Sequence, residues 1–281
     1  MKSISKNISL ISISILTLAF SSCSDWEQTI NLPNTRITDS KRVVIFEEFT
    51  GASCIACPPG LAQSEFLLDI YPDNVIVIGI HSKFLAEPVK IGDFDMRTPD
   101  AQDIEVFLGG PLFGKPEASI NRLFDNTNLS YRYGPPDAWQ PLLEEELKKE
   151  PKVELNISTY FEEATRQLNV TLDVIGLEAI DEPVNLHCGI TESNIIADQK
   201  NKNEILVDFV HKNVLRKMLS PIPGDKISDT FAVGQTFHKV YNFTLPQDSI
   251  VWKPENCRVF AYVSLGVNKK YILQAADSFV K

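Results

Sequence analysis

The chain has 281 residues, 43% of them hydrophobic and 23% charged, an ordinary globular composition with enough length for one large or two smaller cored domains. Its 37 acidic residues outweigh 27 basic ones for a net charge of −10, a field that repels phosphate backbones and argues against a general nucleic-acid binder. The single apolar stretch of membrane type lies at the extreme N-terminus, which excludes a polytopic helical membrane protein.

That stretch has the grammar of an address. Lys2 and Lys6 give a positive start, Ile8 to Phe20 an apolar segment, and Ser21 and Ser22 small residues before Cys23. A plain secretory signal does not need a cysteine there, so the segment resembles a bacterial lipoprotein signal, with Cys23 lipidated as the first mature residue. Phe20 departs from the usual leucine of such signals. A short uncleaved transmembrane helix is the other reading. However, the segment has only 13 residues, four of them Ser or Thr. Residues 23–40 then read as a polar tether. Its Asp25 and Glu27 are similar to the surface-export signals of Bacteroidetes lipoproteins.

Residues 41–150 alternate strand and helix signals. Val43 to Phe49 is a buried, β-branched strand, Gly51 to Cys57 a turn, and Pro58 to Tyr71 a helix opened by two prolines. Asn74 to Ile80 is a second apolar strand, Pro99 to Leu108 a helix, Glu117 to Phe124 a strand, and Asp137 to Glu150 a helix whose Glu144, Glu145 and Glu146 read as a solvated face. This is an α/β pattern. After Pro151 the pattern changes. Val153 to Phe161 and Leu168 to Ile175 alternate as a hairpin, and further strands follow at Val184 to Ile190, Phe237 to Phe243 and Arg258 to Leu265. Residues 151–281 therefore read as an all-β sandwich, interrupted by one helix over Phe209 to Leu219.

Five cysteines divide as one, two and two. Cys23 belongs to the signal, Cys54 and Cys57 form a C-x-x-C, and Cys188 and Cys257 remain as a possible structural disulfide or as two buried small hydrophobes. The C-x-x-C carries the chemistry. Between a buried strand and a helix, its first thiol lies at the helix N-terminus, where free N–H groups and the helix dipole stabilise a thiolate. The second lies one turn on and can attack a mixed disulfide from within. Half of a zinc site is the competing reading. The second pair of ligands is missing, because His81, His187, His211 and His238 are scattered. No cofactor or metal is expected. No phosphate loop, G-x-S-x-G or H-E-x-x-H motif is present.

Val43 to Gly60, VVIFEEFTGASCIACPPG, thereby resembles the thioredoxin superfamily. The resemblance implies a buried carboxylate on the strand six residues before the first cysteine, which is Glu48. Glu47 and Glu48 lie on opposite strand faces, so one can point inward, or both can lie in water at the strand end. It also implies a cis-proline facing the site. Pro116 fits best because a strand follows directly, with Pro111 second. Ser53 replaces the aromatic residue before the first cysteine, and Ile55-Ala56 replaces Gly-Pro between the cysteines.

The whole chain is similar to the twenty-eight-kilodalton outer membrane protein family of Bacteroidetes. The resemblance is carried by EEFTG-x-x-C-x-x-CP, by DFVHKNVLRKML over Asp208 to Leu219, and by KYILQAA over Lys270 to Ala276. It implies a lipid-anchored outer-membrane protein with an α/β thioredoxin-like domain followed by an immunoglobulin-like sandwich. Within the second motif, His211, Asn213 and Arg216 could form a polar site, but their spacing does not share a helix face. Two functions compete. One is a thiol–disulfide oxidoreductase acting on cysteine-bearing envelope proteins, with Cys54 as nucleophile, Cys57 as resolving thiol, Glu48 as proton relay and Pro116 shaping the groove. The other is a surface adhesin or binding lipoprotein in which Cys54–Cys57 is a fixed staple and sandwich loops recognise a host or envelope partner.

Overall fold

A computed structural model describes residues 34–37 (backbone), 42–110, 114–248 and 250–281. The signal segment, Cys23, nearly all of the tether and Pro111 lie outside the described residues. Among the described residues no helix is long and apolar enough to cross a membrane.

The chain is mostly β, and its strands β1–β14 form mixed sheets. At the centre, β2 (Val44–Phe49) and β3 (Val75–Ile80) pair in parallel from Val44↔Val75 to Phe49↔Ile80. A parallel pair needs a crossover, and α1 (Pro58–Ile70) supplies it. Both strands are buried on both faces, which explains their unbroken apolar runs. On one face Val44, Phe46, Val75 and Val77 pack with Leu67 of α1 and with Trp139 and Leu143 of α3 (Trp139–Leu147). On the other, Ile45, Phe49, Ile76 and Ile78 pack with Ala101 and Ile104 of α2 (Pro99–Phe107).

The sheet continues into the second half of the sequence. Its order is β14-β13-β7-β10-β3-β2-β4, with β11 (Asp225–Ser228) also paired to β7. Here β4 is Glu117–Ile120, β7 Val184–Glu192, β10 Val214–Met218, β13 Cys257–Leu265 and β14 Ile272–Phe279. A second sheet, β1-β5-β6-β12, covers its β7–β13–β14 end. These strands are β1 (Asn34–Ile37), β5 (Val153–Glu162), β6 (Gln167–Gly176) and β12 (Thr236–Thr244). Alternate residues Leu155, Ile157, Leu168, Val170 and Leu172 face Leu186, Ile190, Val259 and Val263 in one core, so the expected alternation of β5 and β6 is realised as a sandwich face. The remaining strands, β8 (Ile195–Lys200) and β9 (Ile205–His211), form a separate hairpin.

Three expectations need correction. The helix expected over Phe209 to Leu219 is the end of β9, a turn and β10. Asn213 turns the chain with φ 54°, and Val214 then aligns with Gly79 so that β10 fills the slot between β3 and β7. Ladder hydrogen bonds in a central slot outweigh the local helical pattern. Second, β4 stops at Ile120, because Asn121 and Arg122 take positive φ (47° and 52°). This turn lets the Asn121 side chain accept the Ile45 N–H at 2.9 Å and returns Arg122 to Glu47. Third, Glu146 is buried rather than solvated. It accepts bonds from Arg42 (3.1 Å), Asn121 (2.9 Å) and Tyr271 (2.8 Å), and Lys149 closes on it from outside.

Candidate functional site

The site grows out of the end of β2. Thr50 N–H donates to the Ile80 carbonyl (3.2 Å) and Ser53 N–H to the Leu85 carbonyl (3.1 Å), which fixes the loop against the end of β3 and the segment after it. Gly51 is required there by space. A Cβ on it would lie 2.3 Å from the Leu85 carbonyl oxygen and 2.6 Å from Ala86 Cα. Cys54 N–H then bonds to the Gly51 carbonyl, Cys57 N–H to that of Cys54, and Leu61 N–H to that of Cys57, so the turn winds directly into α1. Cys57 is the N-cap, and Pro58 and Pro59 occupy the first helical positions, where a missing N–H removes no bond. The same prolines reduce the number of free N–H groups available to a thiolate at this terminus.

Cys54 and Cys57 form a disulfide with Cα atoms 5.4 Å apart. Both cysteines are 0% exposed, whereas Ile55 between them is 56% exposed. The sulfurs therefore face the protein and the intervening pair faces out. Cys54 Sγ lies 3.5 Å from the carbonyl oxygen of Lys115, which would accept its proton in the reduced form. Lys115 precedes Pro116 through a cis peptide bond. Pro116 approaches the first turn of α1 so closely that a Cβ on Gly60 would stand 2.9 Å from Pro116 Cβ. The Lys115 ammonium donates to the Ser82 carbonyl at 3.4 Å, and burial pulls its pKa down to about 8.

Glu47 and Glu48 are both buried, on opposite faces of β2. Glu47 forms a two-point ion pair with Arg122 (2.6 and 3.1 Å), and Arg122 also donates to the Tyr262 hydroxyl (2.7 Å). Glu48 has no such cation. Its Oε2 accepts the Ser64 hydroxyl at 2.6 Å, and its Oε1 lies against Gly60 beneath the helix terminus without a hydrogen-bond partner. Burial pushes its pKa up to about 7, the Ser64 bond opposing the rise, so near neutral pH the carboxyl can hold or release a proton below the cysteine turn.

The histidines divide. His238 is exposed and bonds Asp173 at 2.8 Å. His187 is buried, bonds the Ser264 hydroxyl (2.9 Å) and stacks on Tyr262. His81 and His211, 130 positions apart in sequence, meet with ring centroids 6.0 Å apart. Burial holds both pKa values down, that of His211 to about 4. Among the described residues no group of three or more His, Cys, Asp or Glu could hold a metal. His211, Asn213 and Arg216 do not converge: Asn213 receives the Gly79 N–H through its carbonyl (2.7 Å), and Arg216 faces Glu192 at 3.4 Å. Cys188 and Cys257 are unbonded, buried thiols. They lie on adjacent strands, but Cys188 is opposite Ala261 and Cys257 opposite Glu192, a four-residue offset that forbids a bridge and leaves the alternative of two buried small hydrophobes.

Sequence reasoning missed Ser64, Lys115 and Gln199. The i, i+4 pair Gly60 and Ser64 on the inner face of α1 was a readable sign of close approach to β2. Nothing local marked Gln199, whose side-chain amide reaches the carbonyls of Gly51 (3.2 Å) and Cys54 (3.1 Å) from β8.

The chain is similar in fold to HBP35 of Porphyromonas gingivalis, with TM-score 0.67 and 21% identity over 86% of this chain and 76% of that one. It is also similar to a protein from Agrobacterium tumefaciens, with TM-score 0.50 and 13% identity over 87% of this chain and 97% of that one. No curated protein matches the sequence. The model of the family described as Outer membrane protein Omp28 matches residues 111–278, a span that begins after the cysteine turn and takes in Pro116, the β8–β9 hairpin and most of the second half. With more than half of its length matched, the chain belongs to the Omp28 outer membrane protein family.

Proposed function

We propose that this protein is a lipid-anchored outer-membrane thiol–disulfide oxidoreductase. In this reading residues 41–150 form its thioredoxin-like part and residues 151–281 an immunoglobulin-like sandwich, with Cys23 as the lipid site. The observation that carries the reading is the Cys54–Cys57 disulfide at the start of α1 together with the proton-holding Glu48, buried against the first turn of the same helix. In the oxidising direction a partner thiolate attacks Cys54 Sγ. The S–S bond breaks, and Cys57 leaves as a thiolate that takes a proton from the Glu48 carboxyl. A second partner thiolate then attacks the partner sulfur of the mixed disulfide. The partner is oxidised, Cys54 leaves as a thiolate, and the centre has gained two electrons. Run backwards, Glu48 accepts the proton of Cys57 as that thiol resolves the mixed disulfide. Cysteine-bearing envelope proteins are the partner class.

A second reading has one observation of its own. Both cysteines are fully buried, as in a structural staple, and the chain would then be an adhesin or binding lipoprotein. The test is the reduction potential of Cys54–Cys57 in the full-length protein in mild detergent. It is equilibrated in glutathione buffers and read by differential alkylation and mass spectrometry of the cysteine peptide. A potential between about −120 and −270 mV, the range of exchange catalysts, is expected. A value below about −300 mV marks a structural disulfide and replaces the first reading with the second.

A further inference from the structure

The loop that carries Cys54 is bonded by a segment some 145 positions away. Gln199 Nε2 lies within hydrogen-bond distance of three carbonyl oxygens, those of Gly51, Cys54 and its neighbour Lys200 (2.9 Å). The Lys200 N–H donates to the Ala52 carbonyl at 2.8 Å, and Ala52 packs with Ile195 and Ala197 of the same hairpin. Backbone, amide and apolar contacts thus lay the hairpin across the loop that holds Cys54.

The hairpin's outer side is exposed at Ile196, Ile205, Val207 and Val210, while its inner side packs Ile195 and Ala197 with Met96, Val214 and Val251. On the hairpin and on the loop it crosses, Gln199 Oε1 and Thr50 Oγ1 are buried without a hydrogen-bond partner from the protein. Opening would bring water to both atoms, which lowers its cost. At either end of the hairpin, Asn194 (φ 60°) and Asn213 (φ 54°) hold left-handed turns, suited to absorbing a swing. Further fasteners include two ion pairs with half-exposed lysines, Lys90–Asp198 (2.8 Å) and Lys212–Glu65 (3.0 Å).

We propose that the β8–β9 hairpin is the lid of the Cys54–Cys57 centre, with Gln199 as its latch, and that thiols reach Cys54 only after the hairpin swings away. Gln199 is a positioning residue: it acts on the sulfur through the loop carbonyls. The lid's relevance to exchange rests on the function proposed above, but its existence does not.

The test follows reduction of the disulfide by dithiothreitol in the full-length protein in mild detergent, at several urea concentrations below the unfolding transition, read by alkylation of the Cys54–Cys57 peptide. Wild type should react slowly, with a urea dependence well below that of global unfolding. Gln199→Ala should react at least about tenfold faster, as the loss of latch hydrogen bonds predicts. The double variant Lys90→Ala, Lys212→Ala, which leaves the loop untouched, should be faster in the same direction by a smaller factor. Wild-type rates in Gln199→Ala overturn the lid. So does wild-type reduction that matches an unfolded control or tracks global unfolding. A structural-range potential combined with a fast Gln199→Ala removes the exchange function and keeps the lid, whereas an exchange-range potential with an unresponsive Gln199→Ala does the reverse.

Discussion

The Ser64 hydroxyl holds Glu48 by one oxygen only: it donates to Oε2 at 2.6 Å and leaves Oε1 buried against the first turn of α1. A carboxyl with a single neutral donor and no cation prefers its proton. The contrast is with Glu47 one residue earlier, whose two oxygens both meet Arg122. Alternation along β2 sends neighbouring, chemically identical side chains into two different environments.

Glu48 therefore makes a pH-dependent contribution of known sign. Its folded pKa, about 7, stands above the ordinary value of 4.5, so between these limits the folded state keeps a proton the unfolded chain has lost. Stability from this group falls as pH rises from 4.5 to 7 and is flat above. Between pH 5 and pH 8 wild type should lose about 2–3 kcal/mol relative to Glu48→Gln. Urea unfolding of both proteins at the two pH values measures the difference, and the comparison cancels His81, His187 and His211. Their depressed pKa values have the opposite effect, removing stability as pH falls below 6.5. If Glu48 relays protons, the exchange rate should also break near pH 7 in wild type and lose that break in Glu48→Gln.

Arg122 and Glu47 form a fully buried ion pair, with the guanidinium also 5.1 Å from the Tyr262 ring centroid. Arg122→Met should cost about 3–5 kcal/mol, because it strands the Glu47 carboxylate in the core. Adding Glu47→Leu should recover most of that loss. A double-mutant cycle in urea is the measurement, and a double variant no better than the single one would contradict it.

Gly51→Ala should destabilise by about 1–3 kcal/mol, since the new methyl meets backbone atoms of Leu85 and Ala86 that cannot rotate away. The same displacement moves the loop that carries Cys54. The reduction potential should therefore shift together with the unfolding midpoint, whereas an overpacked glycine remote from the turn, such as Gly189→Ala, should change only the midpoint.

Burial raises the pKa of Cys188 and Cys257 far above the thiol range, so neither should react with a thiol reagent in the native protein. Unfolding without reductant should release these two thiols, and reduction should release Cys54 and Cys57 as well. Alkylation followed by peptide mass spectrometry separates the stages. Protection of Cys188 and Cys257 after unfolding without reductant would mean that they are bridged.

The cysteine turn was legible because its determinants are consecutive: a doubly buried strand, a glycine, C-x-x-C and two prolines specify a strand–turn–helix over a few residues. The β5–β6 hairpin was legible for the same kind of reason, since a sheet with one buried face imprints a period of two on its sequence. Phe209 to Leu219 misled because its apolar residues suit a helix as well as a strand. Only the open slot beside Gly79 selects the strand.

By itself the sequence determined the signal-like N-terminus as an expectation, the C-x-x-C motif and the elements that flank it, since each depends on neighbouring residues or local periodicity. Tertiary structure alone decided that Glu48 lacks a cation while Glu47 has one, that Cys188 and Cys257 miss each other by four positions of register, and that Gln199 closes the disulfide loop. Those outcomes depend on which distant strands become neighbours, and that is set by the summed burial of whole sheets.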